Sequence, residues 1–183
     1  MFIADGYRNR RVVVYDGETG DYLRHWGAYG EMPDDSYSYT ERDPEGAPPR
    51  QFSTVHGLVG SDDGLMYVAD RRGNRIQVFQ QSGEFVTEKV IAPETLASGS
   101  AFVIALSPDE NQEWVYLADG TNHKVWVLHR AELEIVGQFG RGGRQMGQFL
   151  RPHGMGIDSH GNLYVGEAST GRRVQKFTVS GAQ

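Results

Sequence analysis

The chain has 183 residues and a net charge of −6, from 18 Lys and Arg against 24 Asp and Glu. It has no cysteine, which excludes disulfides and thiolate metal sites and leaves the redox compartment open; the acidic balance argues against generic nucleic-acid binding. Twenty-four glycines without a collagen period, and no apolar run of the ~18 residues a membrane helix needs, point to one domain of many short strands and tight turns.

The chain opens on "MFIADGYRNRRVVVYD" (1–16), an apolar run ending in Asp5, a polar turn holding Tyr7, and a second apolar run starting at Arg11. Met1 passes at once into what reads as the second half of a strand, so it is expected to be an internal methionine rather than a natural start. A third strand, "GDYLRHWG" (20–27), follows. Residues 28–52, rich in Pro, Asp, Glu and Ser and carrying Tyr37 and Tyr39, read as an inserted rim loop, a lid or a disordered stretch. Then come four strands, "TVHGLVG", "LMYVAD", "RIQVFQ" and "EFVTEKVI", separated by the turn sequences "SDDG", "RRGN" and "QSG". The next stretch, "SAFVIALSPDENQEWVYLAD" (100–119), repeats the first two with a hairpin about three residues longer and Phe102 in place of a histidine. The last copy runs from "QFLRPHGMGID" to "LYVGEASTGRRVQKFT".

An acid closes the second strand of each copy, at Asp5, Asp70, Asp119 and Glu167, spaced by 65, 49 and 48 residues. A basic residue opens the third strand, at Arg11, Arg75, Lys124 and Arg173, placed to pair with the acid. A period near 48 fits a four-stranded propeller blade and disfavours a β-sandwich. Labelling the strands a to d within a blade gives b-c-d, a-b-c-d, a-b-c-d and a-b-c, fourteen in all. The fold class is therefore all-β, a β-propeller of four-stranded antiparallel blades, with about three and a half blades in residues 1–183. The chain is expected to be a piece of a longer protein, or to close with a partner, because an open ring leaves faces and edges uncovered.

His56 and His153 stand at the head of strand a in alternate blades. In a six-bladed ring such blades are about 120° apart, and three histidines so placed converge at the channel mouth, as an open three-nitrogen zinc site requires. The b–c turns share that rim, which places Tyr7, Arg71 and Arg72 there too. The other reading is that His-Gly tops an inner strand and is copied by repetition, and the residues alone leave both open.

"GQFLRPHGMGIDSHGNLYVGEASTGRRVQKF" closely resembles the NHL repeat, as does "RRGNRIQVF". More narrowly, "FIADGYRNRRVVVYD", "QFSTVHGL", "YVADRRGNRIQVF" and "RPHGMGID" resemble the peptidyl-α-hydroxyglycine α-amidating lyase propeller and its bacterial relatives. That resemblance implies zinc ligands at His56 and His153, a catalytic tyrosine at Tyr7 and a catalytic arginine at Arg71. It implies cleavage of the C–N bond of a carbinolamide to a peptide amide and glyoxylate, with zinc polarising the substrate hydroxyl, and a secreted or periplasmic home. Two departures stand out: Gly154 occupies the place of an acid associated with calcium, so calcium is not expected, and Arg151 replaces a methionine. The implied partner is a small-molecule or peptide ligand at the channel mouth, without nucleic acid or a membrane span. The alternative is a non-catalytic propeller binding protein, peptide or other anionic ligands through its rim arginines.

Overall fold

A computed structural model describes residues 1–38 and 43–178 of the chain. Tyr39, named above within the insertion, lies outside them. The chain divides into two compact units, Met1–Ala101 and a second from Phe102 onward. In the first, β1 (Phe2–Asp5), β2 (Arg11–Tyr15) and β3 (Tyr22–Trp26) form one antiparallel sheet. β4 (Val55–Gly60), β5 (Leu65–Asp70), β6 (Arg75–Gln80) and β7 (Phe85–Val90) form the next. In the second unit, β8 (Val103–Leu106), β9 (Trp114–Asp119), β10 (Lys124–His129) and β11 (Glu134–Phe139) precede β12 (Pro152–Ile157), β13 (Leu163–Glu167) and β14 (Val174–Phe177). Every strand pairs with its neighbour in sequence, so each sheet is a simple meander, the blade of a β-propeller. Among the described residues the only helical element is a 3-10 turn at Ala28–Gly30, and no helix is long and apolar enough to cross a membrane.

Burial follows from the sequence pattern. Strand β5, "LMYVAD", is buried at five of its six positions, the signature of a strand covered on both faces. In the first unit Val12, Val14, Trp26, Phe52, Val55, Val68 and Phe79 pack between the two sheets. In the second, Val125, Phe149, Leu163 and Val165 do the same, with the Phe139, Phe149 and Phe177 rings meeting at centroid distances of 4.9–6.3 Å. The a–b hairpin of the third blade leaves Ser107 to Glu113 outside the strands, where the second blade leaves only Ser61 to Gly64. Asp109 fills the longer turn by accepting from the Ser107 hydroxyl and the Asn111 and Glu113 amides.

The repeated acids are fasteners. Asp70 Oδ1 accepts the amides of Ser53 (2.9 Å) and Thr54 (2.8 Å), and Glu167 accepts the amide of Leu150 (2.7 Å), so each clamps the chain that feeds strand a of its own blade. Arg11, Arg75 and Arg173 pair with Asp5, Asp70 and Glu167 as their spacing predicts. Lys124 does not pair with Asp119. Its ammonium lies over the Trp126 ring and donates to Gln138, while Asp119 accepts from the Trp126 indole, the Asn122 side chain and the turn amides of Thr121 and Asn122. The indole occupies the place of a cation, and burial pushes the Asp119 carboxyl up.

Both ends of the insertion are anchored. Tyr29 packs on Phe85 at 5.1 Å and donates its hydroxyl to Glu88, while Phe52 is fully buried against Phe79. Arg75 donates to the Tyr29 hydroxyl (2.9 Å) and to the Gln51 carbonyl (3.1 Å), so one buried guanidinium holds the loop's entry and exit. Between them, Arg10 of the b–c turn that carries Tyr7 lies over the Tyr37 ring at 5.2 Å.

The a–b turn of the last blade yields a pH prediction. Asn162's side chain, the amides of Asn162 and His160, and the Tyr164 hydroxyl all donate to Asp158 and hold its carboxyl at about 2, from an ordinary 3.8. A depressed acid stabilises the fold above its unfolded pKa, and that contribution is lost as the pH falls from 3.8 through 2. Melting curves between pH 5 and 2 should therefore fall less steeply with acid in Asp158→Ala than in the wild type.

Candidate active site

The site residues of the first unit are seated by backbone contacts. Directly after Asp5, Gly6 lies so close to strand β4 that a Cβ there would stand 1.8 Å from the Val55 carbonyl oxygen. Only glycine fits, and the contact places the following Tyr7 beside the residue after Val55, which is His56. His56 itself is the extra residue of a β-bulge: Val55 pairs with Asp70 and Gly57 with Ala69. A bulge re-aims one side chain without breaking the sheet and recurs next to active sites.

Tyr7, His56 and Arg71 come together there. The Tyr7 ring meets the His56 ring edge-on at 6.1 Å, and the Arg71 guanidinium carbon lies 5.3 Å from the Tyr7 ring centroid. Arg71 Nη1 donates to the Tyr7 hydroxyl at 3.1 Å. Arg71 is buried, with its amide tied to the Thr54 carbonyl at 2.9 Å, whereas Tyr7 is 69% exposed. A phenol oxygen open to solvent and backed by a fixed cation can exchange a proton with a bound molecule while the cation faces the charge that develops.

His153 lies in the second unit in the same local setting. Pro152 pairs with Glu167 and Gly154 with Gly166, so His153 is again the extra residue of a bulge. A Cβ on Gly120, directly after Asp119, would stand 2.7 Å from the Pro152 carbonyl oxygen, matching Gly6 against Val55. The Phe102 amide bonds the Ala118 carbonyl and Val103 pairs with Ala118, so Phe102 occupies in the third blade the place that histidine holds in the second and fourth. The Phe102 ring meets His153 edge-on at 5.6 Å. The Ala-Asp-Gly triplets at 4–6 and 118–120, which stand in the blades preceding the two histidines, mark both contacts in the sequence.

Zinc is the ion the resemblance implies, and the donors present are borderline-soft imidazoles suited to it. Each histidine is a bulge-mounted imidazole, a donor type that zinc takes. Among the described residues no group of three or more His, Asp or Glu side chains is placed to hold a metal.

No protein-family model matches the chain. It is 29% identical over 193 residues to peptidyl-glycine alpha-amidating monooxygenase B of Xenopus laevis, a match covering 100% of this chain and 19% of that protein. It is 26% identical over 189 residues to peptidyl-alpha-hydroxyglycine alpha-amidating lyase 1 of Drosophila melanogaster, covering 97% of this chain and 32% of that one. The chain thus spans about a fifth to a third of the length of these relatives. Among solved structures it superposes on hydrazine synthase of Kuenenia stuttgartiensis with a TM-score of 0.66 at 14% identity, covering 97% of this chain and 42% of that one, a likeness of fold alone. The chain is accordingly a homologue of the peptidylglycine amidating enzymes and the hydroxyglycine amidating lyase, built from the antiparallel blades of an NHL-type β-propeller.

Proposed function

We propose that the propeller containing this chain is a zinc-dependent carbon–nitrogen lyase acting on a peptidyl-α-hydroxyglycine or a related carbinolamide. The observation that carries the reading is the Tyr7–Arg71–His56 grouping, with its 3.1 Å contact between guanidinium and phenol oxygen. His56 and His153 are two of the nitrogen ligands, and the metal when bound polarises the substrate hydroxyl. Tyr7 takes the proton from that hydroxyl. The carbinol oxygen then forms the carbonyl of glyoxylate, the C–N bond breaks with its electron pair going to nitrogen, and the nitrogen takes up a proton to leave as the amide. The step needs no oxidant or reductant. Arg71 faces the charge on Tyr7 and presents a guanidinium to the substrate carboxylate.

Metal analysis of the full-length protein tests this. It should carry tightly held zinc and release glyoxylate from an N-acyl-α-hydroxyglycine. His56→Ala or His153→Ala should each lower zinc affinity by about 100-fold or more, since each leaves an incomplete ligand set. Full zinc retention in the double variant sinks the ligand assignment.

A further inference from the structure

Tyr29, at the entry of the insertion, stands in a conformation that a bulky side chain rarely adopts. Its φ is +58° and its ψ +17°, the left-handed region, and Gly30 follows at φ +77°. Such strain persists where the surrounding contacts over-determine it. The Tyr29 amide donates to Gln77 Oε1 at 3.1 Å, and its ring packs on Phe85. Its hydroxyl donates to Glu88 at 3.0 Å and accepts from Arg75 Nη1 at 2.9 Å. Gln77 Nε2 also donates to Glu88, at 2.9 Å, so the carboxylate is fixed from two sides. Burial raises the Tyr29 phenol above the ordinary tyrosine value, opposed by Arg75 and aided by Glu88. It is therefore a neutral hydroxyl that both donates and accepts, bridging a carboxylate and a guanidinium.

The bridge leads to His56. Arg75 shares its Nη1 between Tyr29 and Glu88 and turns its Nε to Asp70 Oδ2 at 3.1 Å, while Asp70 Oδ1 holds the amides of Ser53 and Thr54. Guanidinium and carboxylate are rigid planes, and both side chains are fully buried, so a tilt at Nη1 is passed to Oδ1 rather than taken up by rotamer freedom. Thr54 stands two residues before the bulged histidine. The other blades give an internal comparison. In the fourth, whose strand a also carries a histidine, Arg173 bonds Glu167 and the carbonyls of Arg144, Gln145 and Gln148, in the loop that leads to His153. In the third, where Phe102 stands instead, Lys124 turns to Gln138 and the Trp126 ring. The clamp thus accompanies the histidine. At His56 it differs by adding the Tyr29 hydroxyl on its outer side.

We propose that Tyr29 is a positioning residue for His56: its hydroxyl sets the tilt of Arg75 and, through Asp70, the two amides that lead into the His56 bulge, so that docking of the insertion's entry fixes the direction of the imidazole. Its bearing on catalysis rests on the lyase reading. The coupling itself is measured by NMR in the full chain, freed of metal with a chelator and without substrate, so that either can fail alone. Tyr29→Phe removes the hydroxyl and keeps the ring on Phe85. Amide hydrogen exchange at Ser53 and Thr54 should speed up about tenfold. The His56 imidazole resonances, assigned through their loss in His56→Gln, should shift, while the Val68 amide, in the middle of the same sheet, keeps its wild-type rate. Tyr22→Phe, which removes a hydroxyl bonded to His25 on β3, should change none of these. In an Arg75→Lys background, which keeps a cation for Asp70 but loses the fork, Tyr29→Phe should add less than about twofold. Unchanged exchange at Ser53 and Thr54, unmoved His56 resonances, an equal rise at Val68, an equal response to Tyr22→Phe, or a full tenfold addition in Arg75→Lys overturns the proposal. Should Tyr29→Phe or Arg75→Lys not fold, Glu88→Gln decides, because it withdraws the charge that orients the Tyr29 hydroxyl, and exchange at Ser53 and Thr54 within about twofold of wild type then overturns it.

Discussion

Asp70→Ala is expected to destabilise the protein by about 3–5 kcal/mol, the range for removing one partner of a buried ion pair. Asp70 and Arg75 have fully buried side chains and meet at 3.1 Å. Without the carboxylate the guanidinium stays buried with its charge uncompensated on that side, and the amides of Ser53 and Thr54 lose their acceptor. A loss of that size lowers the melting temperature by about 10 °C or more. Two comparisons separate the buried pair from a generic loss of charge. Asp5→Ala breaks the equivalent pair in the first blade, where the Arg11 and Asp5 side chains are about a third exposed, and should cost no more than about 1 kcal/mol. Adding Arg75→Met to Asp70→Ala measures the coupling of the pair, since it removes a guanidinium that would otherwise keep Glu88, at 3.3 Å, as its charged partner. A single-variant loss below 1 kcal/mol in chemical denaturation would contradict the clamp. The effect extends to function, since Ser53 and Thr54 lead directly into the bulge that carries His56.

The blades were legible because repetition amplifies a weak signal. One copy of an apolar run, an acid, a polar turn and a base is ambiguous; four copies, the last three spaced by 49 and 48 residues, define fourteen strands, and all fourteen are present. The spacing also identified Phe102 as the counterpart of the histidines, once the longer hairpin was allowed for. What the pattern could not carry was pairing between side chains. Lys124 sits in the place of a pairing cation, yet Trp126 donates to Asp119 instead, because an ammonium on a flexible stem can settle over a ring while an indole two residues away fills the gap. The insertion reads as a loop rich in Pro, Asp, Glu and Ser, and nothing in that composition marks its anchors: Tyr29 and Phe52 are single aromatic residues at its ends, tied together by Arg75, 46 residues beyond Tyr29. The contact of Phe102 with Arg151 and His153 was illegible for the same reason. It joins residues about fifty apart, and the bulge that re-aims His153 leaves no mark in the alternation of strand residues.

Tyr7→Phe is expected to abolish most turnover while leaving the fold intact. The substitution removes one oxygen from a side chain that is 69% exposed, so the stability change should stay within about 0.5 kcal/mol. The ring remains, so its edge contact with His56 and its place under Arg71 are retained. Only the proton-transfer group is lost. Positioned acid–base groups contribute about 10²–10⁴-fold, and kcat in the full-length protein should fall by that factor. Zinc content and KM should change little, because neither the imidazoles nor the guanidinium is touched. Arg71→Lys should show the opposite split. An ammonium cannot present the two-pronged contact, so KM for the carboxylate-bearing substrate should rise, with a smaller loss in kcat. If Tyr7→Phe keeps more than a tenth of the wild-type kcat with zinc still bound, another group removes the proton. In that case the 3.1 Å contact between Arg71 and Tyr7 only orders the rim.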